Sequence, residues 1–335
     1  MKHKSLLYHL MLGTVGTLTA GIFASCEQEF YQDEQYRKEI YLVSGEDNIF
    51  QQEFSFGEEA TGYLSVYAGG TTPIEKQVTV ELGVDEMALQ EYNQKRYGTS
   101  YDQYALELPE ERYIIADWSV QLTPDEKTPY SLFPIKVDVD GLEPEDTYFL
   151  PLRIASVSDY MISETKRNVL LQILVKNDYA TTKTKTYYSM KGTKQKVEKD
   201  TWKPIQDVEA IGSGGKEVAP VAARGVRLLP DISTTSDRTQ LRKQGIVATV
   251  HPEEIVEADV IGDDGLPTGE KIQCQKVTLD NWYDMDGCIT VLDIEESPSY
   301  YNAEKKEFTL NYRYNYNSGD WYEIHEVMSL TSLAE

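Results

Sequence analysis

Three short segments of the chain, residues 279–284, 315–321 and 200–204, place Trp and Tyr beside Asn and Asp. An aromatic ring offers a flat apolar face on which a sugar ring can stack, and amide and carboxylate groups pair with sugar hydroxyls. The segments therefore predict loops that bind carbohydrate. The alternative is that each Trp folds back onto the strands as a lid. The candidate side chains are Asp280, Asn281, Trp282, Tyr283, Tyr316, Asn317, Trp321 and Trp202.

Residues with the spacing that catalysis needs are scarce. After the first 25 residues the sequence contains two histidines, His251 and His325. They are far apart, which does not favour a His-based triad or zinc site. The chain has no G-x-S-x-G, P-loop or H-E-x-x-H motif. Glycoside hydrolysis needs only two carboxylates, but among 56 Asp and Glu residues a candidate pair carries no information. We predict that the protein is not an enzyme.

One acidic segment is weakly similar to a calcium loop. It contains Asp280, Asp284 and Asp286, with Gly287 next, but it lacks the third oxygen ligand and the Glu at position twelve of an EF-hand. A tight Asp-Gly turn is the simpler interpretation. We expect no cofactor, and a structural calcium ion that shapes a binding loop is the alternative.

Cys26 follows a basic start, an apolar run over residues 10–24 and the small residues Ala24-Ser25. This order is typical of an export signal and resembles a bacterial lipobox, whose cysteine is acylated. We predict a lipoprotein signal peptide over residues 1–25, lipidation at Cys26 and an acidic tether over residues 26–38. The alternative is an ordinary signal peptide with Cys26 near its end by chance.

The other two cysteines, Cys274 and Cys288, lie on either side of Asn281. If residues 271–279 and 287–293 were the arms of one hairpin, the two thiols would face each other. Since an exported protein enters an oxidising compartment, this predicts a disulfide. Two buried free thiols, or arms in another register, are the alternative.

Length and charge restrict the classes of protein and partner. A chain of 335 residues indicates about two domains, and 24 Tyr residues favour strands over helices. The net charge of −24 argues against nucleic acid and anionic lipid as partners, because both are bound through basic patches. We expect contact with a membrane only through the lipid anchor.

The region over residues 39–178 has short runs of β-formers separated by turn signals, the pattern of an antiparallel sandwich. One helix is predicted over residues 86–96, where Asp85 caps the start and Gly98 ends it. Trp118 is predicted to lie in the strand core of this domain.

The region over residues 179–335 is again rich in strands. Alternation is strict near its end, which predicts two opposite faces on one strand. A second strand is predicted over residues 321–330. The first face carries Phe308, Leu310, Tyr312, Tyr314 and Tyr316, and the second carries Thr309, Asn311, Arg313 and Asn315.

The segments EYNQKRYGTSY, YFLPLRI and NVLLQILVKN follow one another at a spacing that resembles the N-terminal immunoglobulin-like domain of Bacteroides surface lipoproteins from starch-utilisation-like glycan loci. The closing FTLNYRYNYNSGDWYEIHEVMSL is similar to the jelly-roll-like domain that often follows it. The resemblance implies an all-β protein, with an Ig-like β-sandwich that carries one short helix and then a jelly-roll or lectin-like β-sandwich.

The resemblance also implies a location and a role. The protein would be lipid-anchored in the outer membrane, would face the cell exterior, and would bind glycan without cleaving it. Its partners would be a glycan, an outer-membrane transporter and surface glycosidases of the same locus. The alternatives are a structural or adhesive protein that binds another protein, and a surface glycoside hydrolase.

Overall fold

A computed structural model describes residues 36–57, 60–124, 128–231, 235–261, 267–316 and 319–332. Strands dominate these residues, and the predicted all-β fold with two strand-rich domains is confirmed. In the ranges given, no helix has the length and apolar character to cross a membrane. The two α-helices are short: α1 spans Ala88–Tyr97 and α2 spans Arg238–Gln244.

The N-terminal domain consists of two sheets that face each other. The strands are β1 (Glu39–Leu42), β2 (Ile49–Ser55), β3 (Thr61–Ala68), β4 (Val78–Val84), β5 (Leu106–Glu107), β6 (Tyr113–Ile114), β7 (Ser119–Leu122), β8 (Tyr130–Val137), β9 (Tyr148–Val157), β10 (Met161–Ile162) and β11 (Asn168–Lys176). One sheet has the order β10-β1-β3-β8-β6, and the other has the order β2-β11-β9-β4-β7 with β5 beside β9.

The core of this domain forms between the two sheets. Alternate residues of each strand point inward, as the period of a strand requires, and they bury side chains such as Leu64, Phe133 and Leu152 completely. Trp118 is the exception to the prediction: it is 36% exposed at the edge of the sandwich, where its ring lies against Phe133.

Helix α1 is predicted over residues 86–96 and spans Ala88–Tyr97, so it starts two residues later and ends one residue later than predicted. Asp85 Oδ1 accepts hydrogen bonds from the backbone N–H groups of Met87 and Ala88, both at 3.2 Å, and so satisfies donors that the first turn leaves free. Gly98 ends the helix with a φ of +56°, a conformation that other residues adopt only with strain.

The C-terminal domain is one curled sheet. Its strands are β12 (Thr186–Val197), β13 (Glu209–Ala222), β14 (Gly225–Leu228), β15 (Ile246–Ile261), β16 (Pro267–Asn281), β17 (Ile289–Asp293), β18 (Ser299–Asn302), β19 (Glu307–Tyr316) and β20 (Trp321–Ser332). The order is β17-β19-β18-β16-β15-β14-β13-β12-β20, and β20 also pairs with β19. Eight strands therefore close into a barrel, with β17 added beside β19.

This topology differs from the jelly roll that the resemblance implied. In a jelly roll the chain crosses repeatedly between two sheets, whereas here nearly every strand pairs with its neighbour in sequence. The reason is the pairing of β20 with β19 on one side and β12 on the other, which joins the two ends of the sheet. The core of the barrel starts at Tyr179, four residues after the N-terminal core ends at Val175.

The predicted two faces of β19 become the inside and the outside of the barrel. Phe308, Leu310, Tyr312 and Tyr314 are fully buried inside. On the same side, the ammonium group of Lys216 lies 2.5 Å from the carboxylate of Glu326, and neither side chain has any exposed surface. The barrel is therefore a packed core with an ion pair inside it.

The predicted disulfide is wrong. Cys274 and Cys288 are both free and buried, and Cys274 pairs with Val256 across the β15–β16 hairpin. The predicted hairpin of residues 271–279 with 287–293 does not form, because β16 pairs with β15 and β18, and β17 pairs with β19. Alternation along the two segments fixed their faces but not their partner strands.

Candidate functional site

The aromatic segment around Trp282 lies against the N-terminal domain. Tyr283 donates a hydrogen bond to Glu143 of that domain, and the Trp282 ring packs edge-on against Tyr283 at 5.5 Å. Asn281 accepts a hydrogen bond from the backbone N–H of Val291, and Asp280 is exposed. The segment leads from β16 to β17 and is not the tip of a hairpin. Its two rings join the domains instead of standing free in a loop.

Two arginines complete this contact between the domains. Arg227, on the outer face of β14, is 3% exposed, and its Nη1 lies 2.5 Å from Oε1 of Glu145. Arg238 at the start of α2 pairs with Asp146 and also donates to the backbone oxygen of Glu145. The acidic loop after β8 is thus held against the barrel by two cations. Arg227 is buried and would be costly to leave unpaired, whereas the Arg238 side chain is exposed.

We expect that replacing Tyr283 by Phe lowers the free energy of unfolding by about 1 kcal/mol, since the interdomain hydrogen bond is lost. Burial first, and the Glu143 carboxylate second, raise the pKa of Tyr283 to about 12. The contribution of the Tyr283 hydroxyl to the free energy of unfolding is therefore complete below pH 10, and it is lost as the pH rises through about 12. Urea unfolding at pH 7 and across this window measures both effects, and Tyr101→Phe, at a 72% exposed ring, is the control.

The other two predicted segments meet on the outside of the barrel. The ring centroids of Trp202 and Trp321 are 5.3 Å apart, with an angle of 73° between the planes. Cζ of Arg313 lies 4.7 Å from the centroid of the Trp202 ring, a cation–π contact. Trp321 is only 8% exposed and Trp202 remains partly exposed, so Trp202 is the ring that meets solvent.

The connection between β12 and β13 fixes the position of Trp202. The backbone N–H of Trp202 donates to the oxygen of Glu198, and Thr201 Oγ1 donates to the Glu198 carboxylate. Asp200 and Trp202 both have positive φ, 71° and 51°. A tight turn with two left-handed residues other than glycine is strained, and the contacts of the Trp202 ring help to hold it in place.

Beside the two rings is a row of hydrogen-bonding side chains. Arg313 Nε donates to Glu323 Oε2 at 2.7 Å, and the other oxygen of Glu323 lies 3.2 Å from Nε2 of His325. His325 Nδ1 lies 2.8 Å from Oδ1 of Asn311. Both ring nitrogens of His325 are engaged in this row, which fixes the orientation of the ring. We call this surface the outer-face patch; it consists of Trp202, Trp321, Arg313, Glu323, His325 and Asn311.

Tyr316 is not part of the outer-face patch. It lies on the inner side of β19, where its ring contacts Tyr314 at 5.1 Å, and burial raises the pKa of its hydroxyl. Nearby, Asp231 accepts hydrogen bonds from Tyr314 and Lys194. Asn317, the remaining residue predicted in this segment, lies outside the described residues.

Four members of the outer-face patch were not among the predicted site residues: Arg313, Glu323, His325 and Asn311. The signal was present, because strict alternation put Asn311 and Arg313 on the face opposite the core. The sequence could not show that β20 pairs beside β19 in the register that opposes Asn311 to His325 and Arg313 to Glu323.

A cleft of about 330 Å³ lies between the domains. Its lining combines apolar side chains such as Val218 and Leu241 with the Lys185–Glu217 ion pair. None of the lining residues is aromatic, so this cleft lacks the stacking surface that the outer-face patch has. Within the described ranges, no three His, Cys, Asp or Glu side chains are grouped to hold a metal ion.

Two family models together match most of the chain. One describes an N-terminal domain and matches residues 36–161, and the other describes a C-terminal domain and matches residues 167–329. The division between the two models precedes β11, which the fold places in the sheets of the first domain. No curated protein is significantly similar to the chain.

Several solved structures from Bacteroides share the fold. A Bacteroides ovatus protein of unknown function has a TM-score of 0.55 at 14% identity, over 87% of this chain and 94% of that one. A second B. ovatus protein of unknown function has a TM-score of 0.52 at 14% identity, over 86% and 90%. An auxiliary nutrient binding protein from B. thetaiotaomicron has a TM-score of 0.51 at 17% identity, over 86% and 92%.

Proposed function

We propose that this chain, whose two domains match family models and share the fold of Bacteroides proteins, is a cell-surface protein that captures glycan without cleaving it. The outer-face patch is the binding surface, and the N-terminal sandwich holds the barrel away from the membrane. The description of one similar protein as a nutrient binding protein supports a binding role.

The observation that carries the proposal is the position of Trp202. Its partly exposed ring lies over Arg313 and against Trp321, and the Arg313–Glu323 pair lies directly beside it. A sugar ring that stacks on Trp202 would therefore have a guanidinium and a carboxylate within reach of its hydroxyls. Rigid aromatic and Arg side chains of this kind are the usual anchors of binding surfaces.

In this proposal the protein binds glycan and does not cleave its glycosidic bonds. Both oxygens of Glu323, the carboxylate of the outer-face patch, are engaged by Arg313 and His325. Glycoside hydrolysis uses a pair of carboxyl groups, and the outer-face patch contains one. Bound glycan should stay intact on prolonged incubation, and release of new reducing ends would contradict this part of the proposal.

The cellular setting rests on residues outside the described ranges. We propose that Cys26 carries the lipid anchor and that the acidic residues behind it direct the protein to the outside of the outer membrane. Glycan held there would be close to a transporter and to surface glycosidases, which are the proposed partners. Labelling with palmitate, lost in Cys26→Ser, and surface proteolysis of intact cells test the anchor and its orientation.

We expect that Trp202→Ala weakens glycan binding by about thirtyfold, the effect of losing a main anchor. The measurement is affinity electrophoresis of the chain from residue 27 in gels that contain galactomannan, xyloglucan, laminarin, hydroxyethyl cellulose or polygalacturonate. Trp118→Ala, which removes a 36% exposed ring from the other domain, is the matched control.

The outcomes separate the proposal from its rivals. Retardation of the wild-type chain and of Trp118→Ala, with loss in Trp202→Ala, supports the outer-face patch. Equal retardation of all three proteins would place the site elsewhere. If none of the polysaccharides retards the wild-type chain, glycan capture is wrong and the protein-binding alternative gains.

A further inference from the structure

The outer-face patch continues along the barrel. On β12, β20 and β19 the side chains that point outward form successive rows, because the three strands pair in register. From Trp321 to Ser329 the rows extend about 27 Å at roughly 3.4 Å per residue, which is longer than a single sugar ring. The rows are Gln195–Glu323–Arg313, Thr193–His325–Asn311, Lys191–Val327–Thr309 and Ser189–Ser329–Glu307.

Six of the twelve side chains in these rows carry a hydroxyl or an amide: Ser189, Thr193, Gln195, Thr309, Asn311 and Ser329. Such groups accept and donate hydrogen bonds with little desolvation cost compared with ions, and they suit the hydroxyls of a sugar chain. The rows begin beside Trp202. If one sugar unit of a glycan chain stacks on Trp202, the following units would lie over His325 and then over Ser329. The surface is a strip and not a closed pocket, which matches a chain more than a terminal sugar.

The charges of the strip cancel. Outward-facing charged residues on the three strands are Lys191, Arg313, Glu323 and Glu307, two of each sign, and Arg313 is paired with Glu323. The whole chain carries a net charge of −24, so a polyanion approaching this face meets repulsion and no excess of cations to offset it. Uncharged chains meet neither obstacle.

We infer that the strip along β12, β20 and β19 binds several consecutive units of an uncharged, linear glycan, with Trp202 at one end. This inference rests on the proposed function and names the class of glycan. The aromatic end supplies most of the affinity. The hydroxyl and amide rows add a smaller contribution for each further unit.

Chain length is the first test. With manno- and cello-oligosaccharides from the disaccharide to the hexasaccharide, calorimetry should show affinity that rises with length and then levels off. Ser329→Ala, in the row of the strip farthest from Trp202, should weaken binding of the hexasaccharide about fivefold and leave the disaccharide unchanged, whereas Trp202→Ala weakens both. Equal affinity at all lengths, or an equal effect of Ser329→Ala on all lengths, would overturn the strip.

The second test compares the affinity of the protein for uncharged and for carboxylated polymers. The pairs are hydroxyethyl cellulose with carboxymethyl cellulose, and galactomannan with polygalacturonate. Uncharged polymers should bind at least tenfold more tightly in low salt, and added NaCl should leave their affinity unchanged. Tighter binding of the carboxylated polymers would overturn the assigned class while leaving glycan capture intact. Absence of binding to every polymer and oligosaccharide would overturn the proposed function itself.

Discussion

Replacing Lys216 by Met is expected to lower the free energy of unfolding of the barrel by about 3–5 kcal/mol. The Lys216 ammonium and the Glu326 carboxylate have no exposed surface, and their Nζ and Oε2 atoms are 2.5 Å apart. Tyr312 donates a hydrogen bond to the other oxygen of Glu326 at 3.0 Å. Met removes the cation and leaves Glu326 charged and unpaired inside the barrel, which is the costly half of breaking a buried ion pair.

Urea denaturation followed by tryptophan fluorescence measures this effect, since Trp202 and Trp321 are on the barrel. The double variant Lys216→Met/Glu326→Gln is the control: its neutral amide still accepts the hydrogen bond of Tyr312, and most of the lost stability should return. If the free energy of unfolding of Lys216→Met is within about 0.5 kcal/mol of the wild-type value, Glu326 does not depend on Lys216 as its partner inside the barrel.

Replacing Gly192 by Ala is expected to lower the free energy of unfolding by about 3 kcal/mol or more. A Cβ at this position would lie 2.2 Å from the backbone oxygen of His325 and 2.7 Å from Cα of Glu326. Both atoms belong to β20, which pairs with β12 at this point. Backbone cannot yield as a flexible side chain does, so the two strands must separate where the barrel closes.

Thermal unfolding compares this variant with Gly83→Ala, which is also in a strand but whose new Cβ would have its nearest neighbour at 3.9 Å. The control should stay close to the wild-type midpoint. Because Gly192 pairs with Glu326, beside His325 in the strip, Gly192→Ala should also weaken binding of long oligosaccharides. A wild-type midpoint for Gly192→Ala would mean that β12 and β20 are not in close contact.

Some features of this protein follow from short-range patterns that the sequence displays. The two faces of β19 agree with the prediction residue by residue, because a strand alternates its side chains whatever it pairs with. Helix α1 starts at the donors that Asp85 caps and ends at Gly98, since both signals act within one turn.

The candidate site was predicted in part. Trp202 and Trp321 were both named, and each is on the surface that carries the proposal. Trp282 and Tyr283 had the same composition, yet the structure places them between the domains. Local composition is equal in the two cases, so nothing in the sequence could tell a ring that packs on another domain from one that meets solvent.

The sequence by itself determined the two faces of β19, the approximate position of α1, and that aromatic residues occur beside amides. The tertiary structure decided which strands pair. It closed the barrel through β20, separated Cys274 from Cys288, and brought Trp202 against Trp321 and Arg313. The physical reason is that strand pairing is a non-local choice among competing partners, settled by the packing of the whole sheet and not by the residues of one strand.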